Sequence, residues 1–356
     1  MNDIWDVNVA DFPRMKDENG DSARIARAVE AAGAGGVVYF PRGDYAIDSM
    51  LVITNRSSLL LHKSAKLTAV NEMPFVLKYF GGIMDGSLDF VKGEEDHGLF
   101  VKGGEINGNG LASCACMGGF KHFTIADMTF RNGKKTGLQL GDPELPVTEA
   151  GGYEIIANNL YFVCNISGLA GNVGFLTYIG DSHFTDLVAV DYTIGIRDMK
   201  WSNRFTRCHV WGGRVNKAGT PKGERNPEML ENSIAFDLHG ADAVLSDCYA
   251  DTAMIGFNVC NDTRIIASAY YNNWAFKMDN PVVVNHVGGE LLMYGGRFSK
   301  NSPNATIYRR GEGAGKLLWR DNKLINFEPG EMSDLAAELM KQDSAVVSEK
   351  DDVKLS

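Results

Sequence analysis

Ala235-Phe236-Asp237-Leu238 and Gly256-Phe257-Asn258-Val259 begin 21 residues apart and carry one pattern twice: small, apolar, polar, apolar. Working outward, the phrase recurs as Gly137-Leu138-Gln139-Leu140, Gly174-Phe175-Leu176-Thr177, Gly195-Ile196-Arg197-Asp198 and Ala275-Phe276-Lys277-Met278. The six starts are separated by 37, 21, 40, 21 and 19 residues, so the unit is close to 20 residues and two coils carry insertions. Fixed-period self-similarity outranks local propensity, because each unit buries its apolar face only by stacking on the next. A second phrase accompanies the first: Asp127-Met128-Thr129-Phe130, Asn159-Leu160-Tyr161-Phe162, Asp186-Leu187-Val188-Ala189, Arg207-Cys208-His209-Val210, Asp247-Cys248-Tyr249-Ala250 and Ser268-Ala269-Tyr270-Tyr271. Side chains alternate along a strand. Met128, Leu160, Leu187, Cys208, Cys248 and Ala269 are therefore expected in the core, as are Leu138, Phe175, Ile196, Phe236, Phe257 and Phe276 on the other strand. The Asp and Asn that head the second phrase suit turns, where their side chains bond the backbone.

Composition agrees with a turn-rich all-β solenoid. Gly numbers 40 against 10 Pro in 356 residues, and the net charge is −10. An acidic chain is a poor partner for nucleic acid, where Lys and Arg must replace counterions. Six Cys are present, without a CxxC pair; Cys208 and Cys248 occupy equivalent inward positions and read as reduced core thiols, which fits a reducing compartment. The N-terminus has neither a basic region nor an apolar h-region, and no run of 18 apolar residues exists, so the expectation is a cytoplasmic protein without a membrane partner.

The first 50 residues carry the most specific local signature. Val9-Ala10-Asp11-Phe12-Pro13 is followed by Asn19-Gly20-Asp21-Ser22, then by Ile25, Ala28, Val29 and Ala32 at helical spacing. Asp21 or Ser22 is expected to N-cap that helix and Gly33, Gly35 and Gly36 to stop it. Gly35-Gly36-Val37-Val38-Tyr39-Phe40-Pro41-Arg42-Gly43-Asp44-Tyr45 then reads as a strand and a turn. This stretch resembles the opening of the pectate-lyase-like superfamily, in particular the group related to family 28 glycoside hydrolases. It departs at Pro13, where the family has Gly, and lacks a full G-D-G. Gly104-Glu105-Ile106-Asn107-Gly108-Asn109-Gly110 is similar to a structural turn common in the same proteins. The resemblance implies a single-stranded right-handed parallel β-helix with an N-terminal capping α-helix. Residues 1–50 would form the opening strand and cap, 51–327 the body, and 328–356 a C-terminal helix, from Met332 to Met340, and an acidic tail.

Positions flanking the inward ones face outward. They place Arg197, Asp237, His239, Asn258, Lys277 and Asp279 on one face within adjacent coils, about 4.8 Å apart, so that the patch spans about 15 Å. Acid, imidazole and cation together suit acid–base chemistry, with Asp237, His239, Asp279, Arg197 and Lys277 as catalytic candidates. The other sheet offers an outward aromatic row, Tyr161, His209, Tyr249 and Tyr270 with Trp211 beside it, suited equally to stacking on sugars or to an oligomer interface, a trimer among the options. Long insertions on a rigid scaffold tend to carry sites. Residues 141–152 and 212–232 are the two here, the latter with Glu228 and Glu231 as substrate-binding candidates.

Three mechanisms fit. Glycoside hydrolysis needs two carboxyl groups at defined separation, and Asp237 with Asp279, Asp251, Glu228 or Glu231 would supply them. Elimination from a uronate needs a base, His239 or Lys277, and a neutralising cation, Arg197. Intramolecular transglycosylation, as in inulin fructotransferases of this architecture, uses two carboxylates again. The paired Asp-Asp and G-H-G of polygalacturonases are absent from the repeat body. The sequence thus favours a glycosidase acting on a poly- or oligosaccharide, ahead of a lyase or a fructotransferase-type enzyme. A non-catalytic glycan-binding β-helix is the reading from another class. No dinucleotide, phosphate-loop or zinc motif occurs, so no cofactor is expected, although scattered Asp leave a Ca²⁺ site open.

Overall fold

The computed structural model describes residues 5–80, 98–146, 150–166, 169–212, 231–271, 278, 280–300, 302 and 304–340. The chain is a right-handed parallel β-helix. Strands of successive coils pair in parallel, and 28 of them join one continuous sheet. The quoted phrase sets the first face. Strands Thr136–Leu140, Val173–Thr177, Ile194–Asp198, Ile234–Leu238 and Ile255–Val259 lie in register, so Leu138, Phe175, Ile196, Phe236 and Phe257 stack directly on one another. All five are fully buried, and the Phe236 and Phe257 rings stack at 5.4 Å. Fully burying each such side chain contributes about 1.5–3 kcal/mol, repeated at every rung.

The second phrase marks a corner. Asp127, Asn159, Asp186, Arg207 and Asp247 all have left-handed backbones, with φ between 52° and 58°. One left-handed residue swings the strand through the corner, and Asp and Asn tolerate that conformation better than most. Behind it Met128, Leu160, Leu187, Cys208 and Cys248 are buried, as expected from alternation. The six Cys are all unpaired.

The last repeat of each phrase is corrected by the structure. At the corner one coil beyond Asp247 the left-handed residue is Ala267, φ 49°, one position before the Ser268 that the sequence aligned there. Consequently Ala269 pairs with Tyr249 and Tyr270 with Ala250. A one-residue slip exchanges the two faces of a strand. Tyr270 is thus a core residue, 1% exposed, with its hydroxyl donating to the Ala253 carbonyl at 3.1 Å, and it leaves the outward aromatic row. The sixth first-phrase echo also fails: the residue stacked on Phe257 is Val284, from strand Val282–Tyr294, not Phe276. Phe276 itself lies outside the described residues.

The ends are closed as a solenoid requires. Helix Ser22–Ala32 buries Ile25, Ala28 and Val29 against the first coil and ends at Gly33, φ 66°. Asp21 stands at its N-cap but makes no side-chain cap bond. Its fully buried carboxylate accepts instead from Arg14, from Arg24 and from the Ala46 amide, tying helix to strand. At the other end a 3-10 turn, Pro329–Met332, carries a Glu328–Glu331 capping box and leads into a helix over 333–340 that seats Leu335 on the core. Gly104 in the turn seen in sequence has φ 67°, and a Cβ there would meet the Leu61 Cβ at 2.7 Å, which accounts for the glycine structurally.

Candidate active site

On the outer side of the first face, one residue beyond the core column, runs a second column: Gln139, Leu176, Arg197, Asp237, Asn258 and Asn285. Its middle is held by side-chain bonds. Arg197 Nε donates to Asp237 Oδ2 at 2.6 Å. Asn258 Nδ2 donates to Asp237 Oδ1 at 2.7 Å, and Asn285 Nδ2 donates to Asn258 Oδ1 at 2.7 Å. His239, two residues after Asp237 and so on the same side, places Nε2 3.0 Å from Asp237 Oδ1. Arg197, Asp237, His239 and Asn258 are therefore brought together as the sequence expected. Lys277 and Asp279 lie outside the described residues, and the rung next to Asn258 that they were expected to fill belongs to Asn285.

Exposure separates the roles. The Asp237 side chain is 1% exposed, whereas those of Arg197 and His239 are 31% and 38% exposed. Burial would raise the Asp237 carboxyl, but hydrogen bonds from His239 and Asn258 and the charge of Arg197 outweigh it and hold it below the usual carboxylate range. Asp237 is thus an anion that cannot reach a substrate. The same hydrogen bond to Asp237, helped by Cys260, pushes the His239 imidazole up to about 10, so it is an imidazolium at neutral pH. The surface offered to solvent is cationic, and the carboxylate beneath orients it, much as an Asp fixes the imidazole in a catalytic triad.

A second acid sits next to Arg197 on the inward side. Asp198 is fully buried, and its Oδ1 accepts from the Lys200 amide at 3.1 Å and from Asn203 Nδ2 at 2.8 Å. Its Oδ2 has no hydrogen-bond partner among the described residues, and burial pushes the group up to about 7. Sequence alternation gave no reason to find a carboxyl there. The acids offered in sequence as companions to Asp237 are placed elsewhere: Asp251 lies on the third face, beside Trp211, Glu231 is exposed at the end of the 212–232 insertion, and Glu228 is outside the described residues. The two-carboxylate arrangement expected for a hydrolase is therefore not formed by Asp237 with Asp251, because these residues belong to different strands of the coil.

One step further along each strand, backbone bonds carry the ladder into a column of Gly141, Tyr178, Met199, His239 and Cys260. Gly141, Tyr178 and Met199 line a cleft of about 520 Å³, together with Asp142, Leu145, Tyr153, Lys200 and Trp201. Trp201 is 45% exposed. Residues Gly141, Asp142, Pro143 and Leu145, with Ala150, Gly151 and Gly152, form one wall. His239 is the rung after Met199, about 4.8 Å along the axis, so the cationic pair stands at the end of an aromatic-lined cleft. Sequence reasoning missed Tyr153, Tyr178 and Trp201. Tyr178 was within reach, since it precedes Met199 by one coil in the same outward column.

The third face carries the remaining sequence candidates. His209 and Tyr249 pair across coils with rings stacked at 4.7 Å, and Trp211 pairs with Asp251. Half-buried His209 has an enclosed Nε2 without a hydrogen-bond partner among the described residues, and desolvation lowers its basicity. Tyr161 belongs to the same column, separated from His209 by Val188. This row lies on different strands from Asp237.

With this geometry in hand, the chain was compared with known proteins. Neither a protein-family model nor a curated protein matches it. Solved structures do. "Geobacillus virus E2 - ORF18" aligns with a TM-score of 0.62 at 16% identity over 90% of this chain, which spans 62% of that protein. Endo-xylogalacturonan hydrolase from Aspergillus tubingensis aligns with a TM-score of 0.56 at 11% identity, covering 90% of this chain and 93% of the other. The A-module of mannuronan C-5 epimerase AlgE4 from Azotobacter vinelandii aligns with a TM-score of 0.54 at 16% identity, covering 90% and 96%. These likenesses are to parallel β-helix proteins, as the opening 50 residues implied.

Proposed function

We propose that this chain is a carbohydrate-active enzyme that cleaves glycosidic bonds of a poly- or oligosaccharide lying along the first face. The observation that carries the reading is the Arg197–Asp237–His239 constellation one rung from the aromatic cleft. Aromatic faces at Tyr153, Tyr178 and Trp201 suit sugar rings, and polar groups at one end fix orientation. Proteins of similar fold include a hydrolase and an epimerase whose names carry glycan substrates, which supports the substrate class. In this reading the roles differ from a carboxylate pair. His239 donates its proton to the departing glycosidic oxygen while water attacks the anomeric carbon and gives up its proton to solvent, Arg197 binds a sugar oxygen or carboxylate, and buried Asp237 holds both in place.

A second cleavage mode is favoured by one feature, the two exposed cations side by side. They suit a uronate, whose carboxylate Arg197 would neutralise while neutral His239 removes the proton beside it. The modes have opposite pH dependence. Proton donation fades as the imidazolium deprotonates near pH 10, whereas proton abstraction grows there. The test is a screen of neutral glycans and uronate polymers, read as new reducing ends and as absorbance of an unsaturated product. Reducing ends alone indicate hydrolysis, and both signals together indicate elimination. Glycan binding without either signal would overturn the enzymatic reading in favour of a binding β-helix.

A further inference from the structure

The cluster that orients His239 also has the composition of a metal site. Asp237 Oδ1, His239 Nε2 and Cys260 Sγ all lie within 4.8 Å of one another. The separations are 3.0 Å from imidazole to carboxylate and 4.0 Å from imidazole to sulfur. In a tetrahedral zinc site, bonds of about 2.0–2.3 Å put neighbouring ligand atoms about 3.3–3.8 Å apart. Opening the first separation and closing the second by a few tenths of an ångström would therefore seat an ion. The backbone already supports this. His239 and Cys260 occupy the same column on adjacent coils, and Asp237 shares a strand face with His239.

Chemistry narrows the ion. Thiolate, imidazole and a single carboxylate oxygen are a set for Zn²⁺ and its neighbours among the divalent transition metals, and a poor one for Ca²⁺ or Mg²⁺, which take oxygen. Of the six cysteines five are buried, and Cys260 alone is partly exposed. Arg197 occupies Asp237 Oδ2, which restricts coordination to Oδ1. Asn258 Nδ2 lies 2.7 Å from Asp237 Oδ1 and 3.5 Å from Cys260 Sγ, donating to both atoms that an ion would use. Outer donors of this kind orient ligands and tune affinity. His239 is partly open to solvent, which leaves a fourth position for water.

We propose that Asp237, His239 and Cys260 bind a zinc-class divalent ion through one oxygen, one nitrogen and one sulfur, with the fourth position open. Binding stands independently of the glycan reading. Binding releases the imidazolium proton and the Cys260 thiol proton to solvent and occupies the His239 nitrogen, so on that reading zinc is an inhibitor of bond cleavage and a chelator restores it.

The test titrates the full chain with Co²⁺ alone, followed by absorption spectroscopy, and then with Zn²⁺ alone by calorimetry. The expected result is one ion per chain with a thiolate-to-cobalt charge-transfer band and tetrahedral visible bands. Cys260→Ser should abolish the charge-transfer band, and His239→Ala should lose the visible bands. Asn258→Ala should keep the spectrum but weaken binding about 10–100-fold, the usual effect of removing an outer donor. Thermal unfolding without metal verifies that each variant is folded. Absence of the charge-transfer band in the unmodified chain would overturn the proposal. So would zinc binding that is equally tight in folded Cys260→Ser and His239→Ala chains.

Discussion

The first and third faces of the helix are written by one rhythm yet hold unlike surfaces. On the first, Arg197, Asp237, Asn258 and Asn285 are joined rung to rung by hydrogen bonds, and a carboxylate is buried under two exposed cations. On the third, the corresponding column offers Tyr161, Val188, His209, Tyr249 and Ala269, with ring stacking as its main contact. The core behind both is one continuous cluster of apolar residues. Stacking thus fixes where an outward side chain sits, and what it can do depends on whether it finds a partner two residues along its own strand, as Asp237 finds His239.

The sharpest way to break this contrast is to remove its buried anion. Asp237→Ala leaves Arg197 and His239 without their carboxylate and is expected to cost about 3–5 kcal/mol of stability, measured by denaturant unfolding, with loss of turnover. His239→Gln should leave the fold near wild type and lower turnover about 10²–10⁴-fold, the usual contribution of a general acid. For the wild type, His239 contributes a pH-dependent stabilisation. Because its folded pKa lies above the unfolded value, this is complete below about 6.5 and is lost as pH rises towards about 10. A stability–pH profile that is flat over that interval would contradict the Asp237–His239 bond. Asp198→Asn tests the inward neighbour. The buried carboxyl, raised to about 7, is favoured protonated, so wild-type stability should fall between about pH 4 and 7. The amide keeps an acceptor for Lys200 and Asn203 and should flatten that fall. Trp201→Ala is expected to weaken glycan binding about 3–10-fold, in keeping with one lost aromatic contact of about 0.5–1.5 kcal/mol. Tyr249→Ala, on the third face, should change turnover by less than about twofold while costing about 1 kcal/mol of stability, from the lost stack on His209. A large loss of turnover there would move the site to the other face.

Much of this was legible in sequence because both strand alternation and coil stacking are periodic. Residues 7–50 carried the cap and the opening strands, and five of the six rungs of each phrase fell where alternation put them. The failures have local causes. Ser268-Ala269-Tyr270-Tyr271 looks like its predecessors only if Ser takes the corner, but Ala267 takes it, and the slip of one turns Tyr270 inward. Ala275-Phe276-Lys277-Met278 imitates the repeat in composition while a longer connection delivers Val284-Asn285 to the rung. Asp21 matched a cap pattern, but two arginines within reach make better partners than helix amides.

By itself the sequence determined the solenoid, the two core ladders and the gathering of Arg197, Asp237, His239 and Asn258 on one face, because side-chain direction follows from residue spacing once strands stack in register. Tertiary structure alone decided which of these groups meets solvent, since burial depends on neighbouring coils rather than on spacing. It also brought Trp201, Tyr178 and Tyr153 around one cleft, set Cys260 beside His239, and buried the Asp198 carboxyl. Charge states followed from that burial: the same carboxylate chemistry is held ionised at Asp237 by three partners and pushed towards neutrality at Asp198 by desolvation.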